Sequence, residues 1–250
     1  MKRLLLFGLC ILLCLPLGCS NNQKEKELTV FAAASLQETL TAIAEDYMAD
    51  HDITIVFNFD SSGTLKTQIL EGAHCDIFIS AGQKQMDELG DLPVERFDIL
   101  ENKVALAVPE GNPAGIYSYE DLKNALMDGN VLLAMGNADV PVGQYTQKIL
   151  SYFGLSEEEL PVTYGSNARE VALQVSEGTV DCGIIYATDA FSAGLTVVDT
   201  ATEEMCGQVI YPAAIVGTSK KQKAAEDFLE YLKTDAADSV FASVGFTPIK

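Results

Sequence analysis

Short apolar runs alternate along this chain with stretches of helical spacing. Leu28-Thr29-Val30-Phe31 reads as a strand, and Leu36, Leu40, Ile43, Ala44 and Tyr47 then recur at the spacing of one helix face. Residues 53–59 form the next strand-like run, followed by a helix marked by Leu65 and Ile69 and stopped by Gly72. Residues 76–80 and 104–108 are further strands, and residues 99–108 read as one extended apolar run. Leu132-Leu133-Ala134-Met135 leads through a loop to a helix marked by Tyr145, Ile149 and Phe153 and ended by Gly154. Val171, Ala172 and Val175 mark another helix ended by Gly178, and residues 183–186 and 210–216 are strands. The last clear helix carries Ala225, Phe228, Leu229 and Leu232. This alternation predicts an α/β fold with mainly parallel sheets, in which ligands bind where strands end and helices begin.

Four of those junctions share one pattern: a short polar or glycine-bearing turn directly precedes a helix. They are Ala33-Ala34-Ser35, Ser61-Ser62-Gly63, Pro141-Val142-Gly143 and Ser166-Asn167-Ala168. Helix starts carry N–H groups without intrahelical partners and the positive end of the helix dipole. Three of the turns also have a plain capping role: Ser35 with Glu38 spells a capping box, Asn167 has Glu170 three residues on, and Ser62 is a standard N-cap type. Tyr186, at the end of an apolar strand, has an equally plain role in the core. Together, converging on one cleft, the four starts would make a receptor for a small anion without cationic side chains. Ser-Ser-Gly and Pro-Val-Gly would free the backbone there for close approach to the ligand.

The N-terminus adds a location. Met1-Lys2-Arg3 and the apolar residues 4–17, ending at Gly18-Cys19, read as an export signal rather than a membrane span. Gly-Cys-Ser-Asn-Asn after such a run resembles a bacterial lipoprotein signal, with residues 1–18 removed, Cys19 lipidated and residues 19–26 a tether; simple secretion is the alternative. No later segment is long and apolar enough to span a membrane. The chain has 16 basic and 36 acidic residues, and loss of Lys2 and Arg3 with the signal leaves a net charge near −22. That balance argues against nucleic acid as a partner.

Other chemistry finds little support in the residues. Cys75, Cys182 and Cys206 form an odd set with no metal-ligand spacing, each beside a strand-like run, so buried free thiols are expected. His51 and His74 are the only histidines, and no zinc, calcium, P-loop or G-x-S-x-G motif is present. Ser35 or Ser62 could act as a nucleophile only with a histidine near in space, which leaves a secreted serine-dependent hydrolase as the reading from another class.

The segments 28–36 (LTVFAAASL), 60–65 (DSSGTL), 76–80 (DIFIS), 140–145 (VPVGQY) and 183–190 (GIIYATDA) together resemble the periplasmic molybdate-binding proteins of ABC transporters. The similarity runs over residues 27–250. It implies a two-lobed, type II periplasmic-binding-protein fold, with lobe 1 formed by residues 27–104 and 212–250 and lobe 2 by residues 105–211. It also implies a tetrahedral oxyanion held by hydroxyls and N–H groups in the interlobe cleft. By position, Ser35 and Ser62 would each give a hydroxyl and an N–H, Val142 and Ala168 an N–H, and Tyr186 its hydroxyl. The expected ligand is molybdate or tungstate, with sulfate or another tetrahedral oxyanion as the alternative. No cofactor and no direct cation ligand are implied. The expected partners are an ABC permease and, through Cys19, the outer face of the membrane, with the protein a monomer. An all-donor site is expected to reject hydrogen phosphate, whose own O–H would find no acceptor.

Overall fold

The computed structural model describes residues 26–250. The proposed signal, Cys19 and most of the tether lie outside the described residues. The first part of the chain runs β1 (Glu27–Ala33), α1 (Gln37–Asp50), β2 (Thr54–Asp60), α2 (Ser62–Leu70), β3 (Ile77–Ile79), α3 (Gln83–Asp87) and β4 (Pro93–Asn102). Then come β5 (Val104–Val108), α4 (Tyr119–Met127), β6 (Leu133–Gly136), α5 (Pro141–Tyr152), β7 (Val162–Gly165), α6 (Ala168–Ser176), β8 (Cys182–Tyr186), α7 (Ala187–Ser192), β9 (Thr196–Thr200) and α8 (Glu203–Cys206). The chain ends with β10 (Val209–Val216), α9 (Gln222–Tyr231), α10 (Asp235–Ser243) and β11 (Thr247–Pro248).

Two sheets form. One has the order β11-β4-β10-β3-β1-β2, the other β7-β6-β8-β5-β9. Both are mixed, which corrects the expectation of mainly parallel sheets. The β1–β2, β1–β3, β6–β7 and β6–β8 pairs are parallel. β10 runs antiparallel to β3 and β4, and β5 antiparallel to β8 and β9. The reason is connectivity: β5 enters the second sheet directly from β4 through the single residue Lys103, and β10 enters the first sheet from β9 of the second, so neither follows the helical crossover from a strand of its own sheet that a parallel pair requires. The apolar run 99–108 is therefore not one strand but two, in different sheets. The chain returns to the first sheet between Thr200 and Val209. Val104 thus pairs in the second sheet with Tyr186, and Val209–Tyr211 pair in the first with β4.

Strand alternation explains why both faces of each sheet are apolar. Val30, Ala32, Ile77 and Ile79 enter the main core, while Phe31 and Phe78 face a second cluster with Leu65, Ile69 and Met86. In the other sheet Ile184 and Tyr186 join the main core, and Ala107, Ala134 and Ile185 pack under Val171 and Val175 of α6. The helix stops behave as the composition dictates: Gly72 and Gly154 take positive φ of 91° and 72°. Several elements gave no clear local signal, among them α4, whose Ser118 accepts from the Asp121 N–H, and α10, capped by Thr234.

Candidate functional site

The carboxyl ends of β1, β2, β6, β7 and β8 lead into the loops and helix starts that face one another between the sheets. A small cavity sits there, with room for about one water-sized sphere. Ser35, Ser62, Ala168 and Tyr186 line it together with Asp60, Ser61, Ala81, Val140, Pro141 and Asn167. Val142 is fully buried directly behind Val140 and Pro141 and is not part of the lining. No lysine or arginine lines the cavity, and Asp60 brings a carboxylate whose Oδ1 accepts the Ser61 N–H at 2.7 Å. The lining is thus not made of donors alone, as the sequence had suggested.

The serines are held differently from what their positions predict. The S-x-x-E box at Ser35 does not form: residues Ala34–Leu36 make a turn of 3-10 helix, α1 is capped by Leu36 without a side-chain bond, and Glu38 accepts instead from the Ser192 hydroxyl at 2.7 Å. Ser35 Oγ lies 3.0 Å from the Tyr211 hydroxyl. Asn102 sets the direction of that bond. Its Oδ1 accepts the Lys103 N–H, so its Nδ2 faces Tyr211 at 3.1 Å and Thr188 at 2.9 Å. Tyr211 accepts from Asn102 and gives its own proton to Ser35, whose hydroxyl proton is left for the cavity. Ser62 does not cap α2 either; Ser61 does, accepting from the Thr64 N–H. Ser62 Oγ accepts the Ala81 N–H at 2.9 Å, so its proton too is free for a ligand. Asn167 does cap α6 through the Glu170 N–H, and Glu170 closes the turn on the Ser166 N–H. Tyr186 donates to the Ala81 carbonyl at 3.2 Å, and burial holds its phenol well above the ordinary range.

The glycines of the two turns are spent on packing against protein. A Cβ on Gly143 would overlap the carbonyls of Gly136 and Asn137, and one on Gly63 would overlap the carbonyl of Asp139. The expectation that they open the backbone to a ligand is corrected: helix α5 uses Gly143 to lie against the end of β6, and Gly63 meets the opposite sheet's loop.

Tyr211, Asn102 and Ala81 are partners that sequence reasoning missed, because β10, β4 and the turn after β3 that carry them are distant in sequence from the residues they hold. Asp189 was missed as well. It lies 5% exposed beside the cleft, and its Oδ2 has no hydrogen-bond partner. A larger opening shares Ala34, Ser35 and Asn167 with the small cavity and has Arg169 and Asp189 on its wall. Burial pushes the Asp189 carboxyl up to about 7, against the opposing pull of Arg169 and its own backbone N–H. A neutral Asp189 removes one negative charge from beside the cavity. Its folded-state pKa exceeds the unfolded value of about 3.9, so its contribution favours folding below that value and is lost as pH rises to about 7. Asp189→Asn is expected to flatten the fall in ligand-free stability between pH 4 and 8, as followed by urea unfolding; an unchanged pH profile would assign that fall to other groups.

Neither histidine stands with a cavity serine. His51 Nδ1 pairs with the Tyr47 carbonyl and its ring stacks on Tyr47 at 3.9 Å, while His74 lies 3.4 Å from Asp76. Cys75, Cys182 and Cys206 are buried free thiols, as expected, and burial raises Cys75 and Cys182 to about 12. Among the described residues no helix is long and apolar enough to cross a membrane.

The chain is 35% identical over 244 residues to the putative ABC transporter substrate-binding lipoprotein YvgL of Bacillus subtilis, covering 92% of each chain. It is 34% identical to the molybdate-binding protein ModA of Haemophilus influenzae, over 88% of this chain and 90% of that one. Among solved structures, the periplasmic molybdate-binding protein of Azotobacter vinelandii superposes with a TM-score of 0.77 at 19% identity, covering 89% of this chain and all of that one. The sulfate-binding protein SubI of Mycobacterium tuberculosis superposes with a TM-score of 0.76 at 18% identity, over 90% and 88%. At those identities the two superpositions establish the fold, and they do not separate the two anions. A family model described as bacterial extracellular solute-binding protein matches residues 28–247, so the chain belongs to the bacterial extracellular solute-binding proteins.

Proposed function

We propose that this protein is the capture component of an ABC importer for molybdate, with tungstate as a second ligand, and that it binds rather than transforms its solute. The observation that carries the reading is the convergence of Ser35 and Ser62 from one sheet with Ala168 and Tyr186 from the other on one small cavity without a basic side chain. Both serine hydroxyls already accept a hydrogen bond from the protein and keep a proton for the anion. The starts of α2, α5 and α6 face the same space, each adding about 0.3–2 kcal/mol for a dianion. In the bound state Ser35 and Ser62 would give hydroxyls, Tyr186 would give its hydroxyl by turning from the Ala81 carbonyl, and Val142 and Ala168 would give N–H groups. Relatives that bind molybdate by name, at 34% identity over nearly the whole chain, favour molybdate over sulfate.

Calorimetric titration with molybdate, tungstate, sulfate and phosphate tests the reading. Molybdate and tungstate are expected to bind with similar affinity, phosphate weakly; sulfate bound more tightly than molybdate would replace the assignment. Asp60 makes the phosphate arm informative, because its side chain is the acidic group in the cavity lining and could accept from a protonated anion.

The donors come from both halves of the chain, so neither half surrounds the anion alone. Ligand binding closes the hinge at Lys103 and at the return between Thr200 and Val209. Small-angle scattering is expected to give a smaller radius of gyration with molybdate than without it, at equal ionic strength. An unchanged radius together with tight binding would mean a preformed cleft.

Delivery to the permease occurs at the outer face of the membrane, where the lipid on Cys19 tethers the protein. Cys19→Ala is expected to release the protein from the membrane fraction with unchanged molybdate affinity. Mass spectrometry that finds a mature N-terminus other than diacylated Cys19 would remove the anchor. The 35% identical relative named a lipoprotein supports this assignment.

A further inference from the structure

Two helix-start loops touch across the cleft on one side of the cavity. Gly63, in the first turn of α2, is buried in the helix next to Ser62. A Cβ built on it would overlap the carbonyl oxygen of Asp139 and lie 3.0 Å from the carbonyl carbon and 3.3 Å from the Asp139 Cβ. Asp139 belongs to the loop between β6 and α5, in the other sheet, one residue before Val140 of the cavity lining. The obstacle is backbone, so no rotamer change relieves it. The same rim carries two softer contacts. A Cβ on Gly82 would lie 3.0 Å from the movable Gln85 Oε1 on its own side and 3.3 Å from Pro141 Cβ across the cleft, and Gln85 Nε2 donates to Gln144 Oε1 at 3.1 Å.

We propose that Gly63 is a closure-determining residue: its bare Cα lets the Ser62 turn meet the Asp139–Val142 loop, and that contact sets how near the donors of the two sheets approach one anion. The inference rests on the reading of the cavity as an oxyanion site that closes on its ligand. Gly63 does not touch the anion in this account; it acts through the spacing of Ser62 and Val142. Helix propensity alone would favour alanine at this position, so glycine here carries a local cost that the cross-cleft contact offsets. A methyl group would hold the rim apart in the closed form and meet nothing in the open one.

The two effects of Gly63→Ala therefore have opposite signs, which a merely structural role would not produce. The ligand-free melting temperature is expected to stay level or rise. The dissociation constant for molybdate is expected to increase tenfold or more, mainly through faster release, and the radius of gyration at saturating molybdate to stay above that of the wild type. A dissociation constant within twofold of the wild type would overturn the proposal. If Gly63→Ala lowers the ligand-free melting temperature, Gly82→Ala carries the test, with an expected rise of threefold or more and the proposal overturned by none. Wild-type protein that fails to bind molybdate would reject the site itself, whereas wild-type binding matched by Gly63→Ala would reject only the closure role.

Discussion

Ser62→Ala is expected to weaken molybdate binding by about 1.5–3 kcal/mol, the value of one hydrogen bond to a charged group, or roughly ten- to 150-fold in dissociation constant. The position is severe because the side chain does two things. It is 1% exposed, it accepts the Ala81 N–H at 2.9 Å, and its remaining proton has no protein acceptor among the described residues, which leaves it for the proposed ligand. Alanine removes the donor and also strands the Ala81 N–H. With the closure proposed above, water reaches that group in the open protein and not in the closed one, so part of the unsatisfied-donor cost of about 1–3 kcal/mol falls on the bound state alone. Ser35→Ala is expected to cost less, at least about 1 kcal/mol, since Ser35 is only half-buried and water can take its place on Tyr211. Tyr211→Phe leaves Ser35 in position but removes the proton it accepts, so its effect is expected to fall below that of Ser35→Ala. Val142→Ala is expected to leave the affinity close to that of the wild type, because only its N–H has a role in the proposed site. Calorimetric titration at constant ionic strength reads the series. Wild-type affinity in Ser62→Ala would take Ser62 out of the site.

Asp76→Ala is expected to lower the stability of the ligand-free protein by about 3–5 kcal/mol, the usual loss when one partner of a buried ionic network is removed. Asp76 is fully buried at the entrance of β3. Its Oδ2 accepts the Thr29 N–H of β1 at 2.9 Å, and its Oδ1 accepts the Ser219 hydroxyl just after β10 at 2.6 Å. Lys221 Nζ stands 3.8 Å away. One carboxylate thus joins the three neighbouring strands of the first sheet at the end opposite the cavity. Alanine takes the acceptor from the Thr29 N–H and the Ser219 hydroxyl and the facing carboxylate from Lys221, which keeps the Glu27 carbonyl. Asp76→Asn keeps one acceptor and is expected to lose less. Denaturant unfolding measures both, with molybdate affinity of the folded protein as the control. That affinity is expected to hold, because Ala81, the part of this segment that reaches the site, lies beyond the far end of β3. A fall of under 1 kcal/mol for Asp76→Ala would show that the network contributes little.

Much of this protein is written locally in its sequence. The apolar runs at 28–31, 104–108 and 183–186 and the helical spacing from Leu36 to Tyr47 mark their elements, because each depends on neighbours within a few residues. Gly72 and Gly154 end helices for the same local reason, a positive φ that costs glycine little. The Ser-Ser-Gly, Pro-Val-Gly and Ser-Asn-Ala turns announce helix starts, and the Asn167 cap forms as its spacing requires. What the sequence could not decide is who stands opposite whom. Hydropathy carries no strand direction, so the antiparallel run of β10 between β3 and β4 was invisible. Ser35 looks like a helix cap to its neighbours, but Tyr211, 176 residues away, takes its oxygen and turns its proton toward the cavity. Gly63 looks like a turn residue, but its use is a contact with Asp139 across the cleft. Asp189 looks like an ordinary acid at a helix start, and only packing by other elements makes its charge costly. Local pattern is set by short-range sterics and solvent, whereas the direction of a hydroxyl, the distance between two loops and the charge of a buried acid are set by groups that only the folded chain brings together.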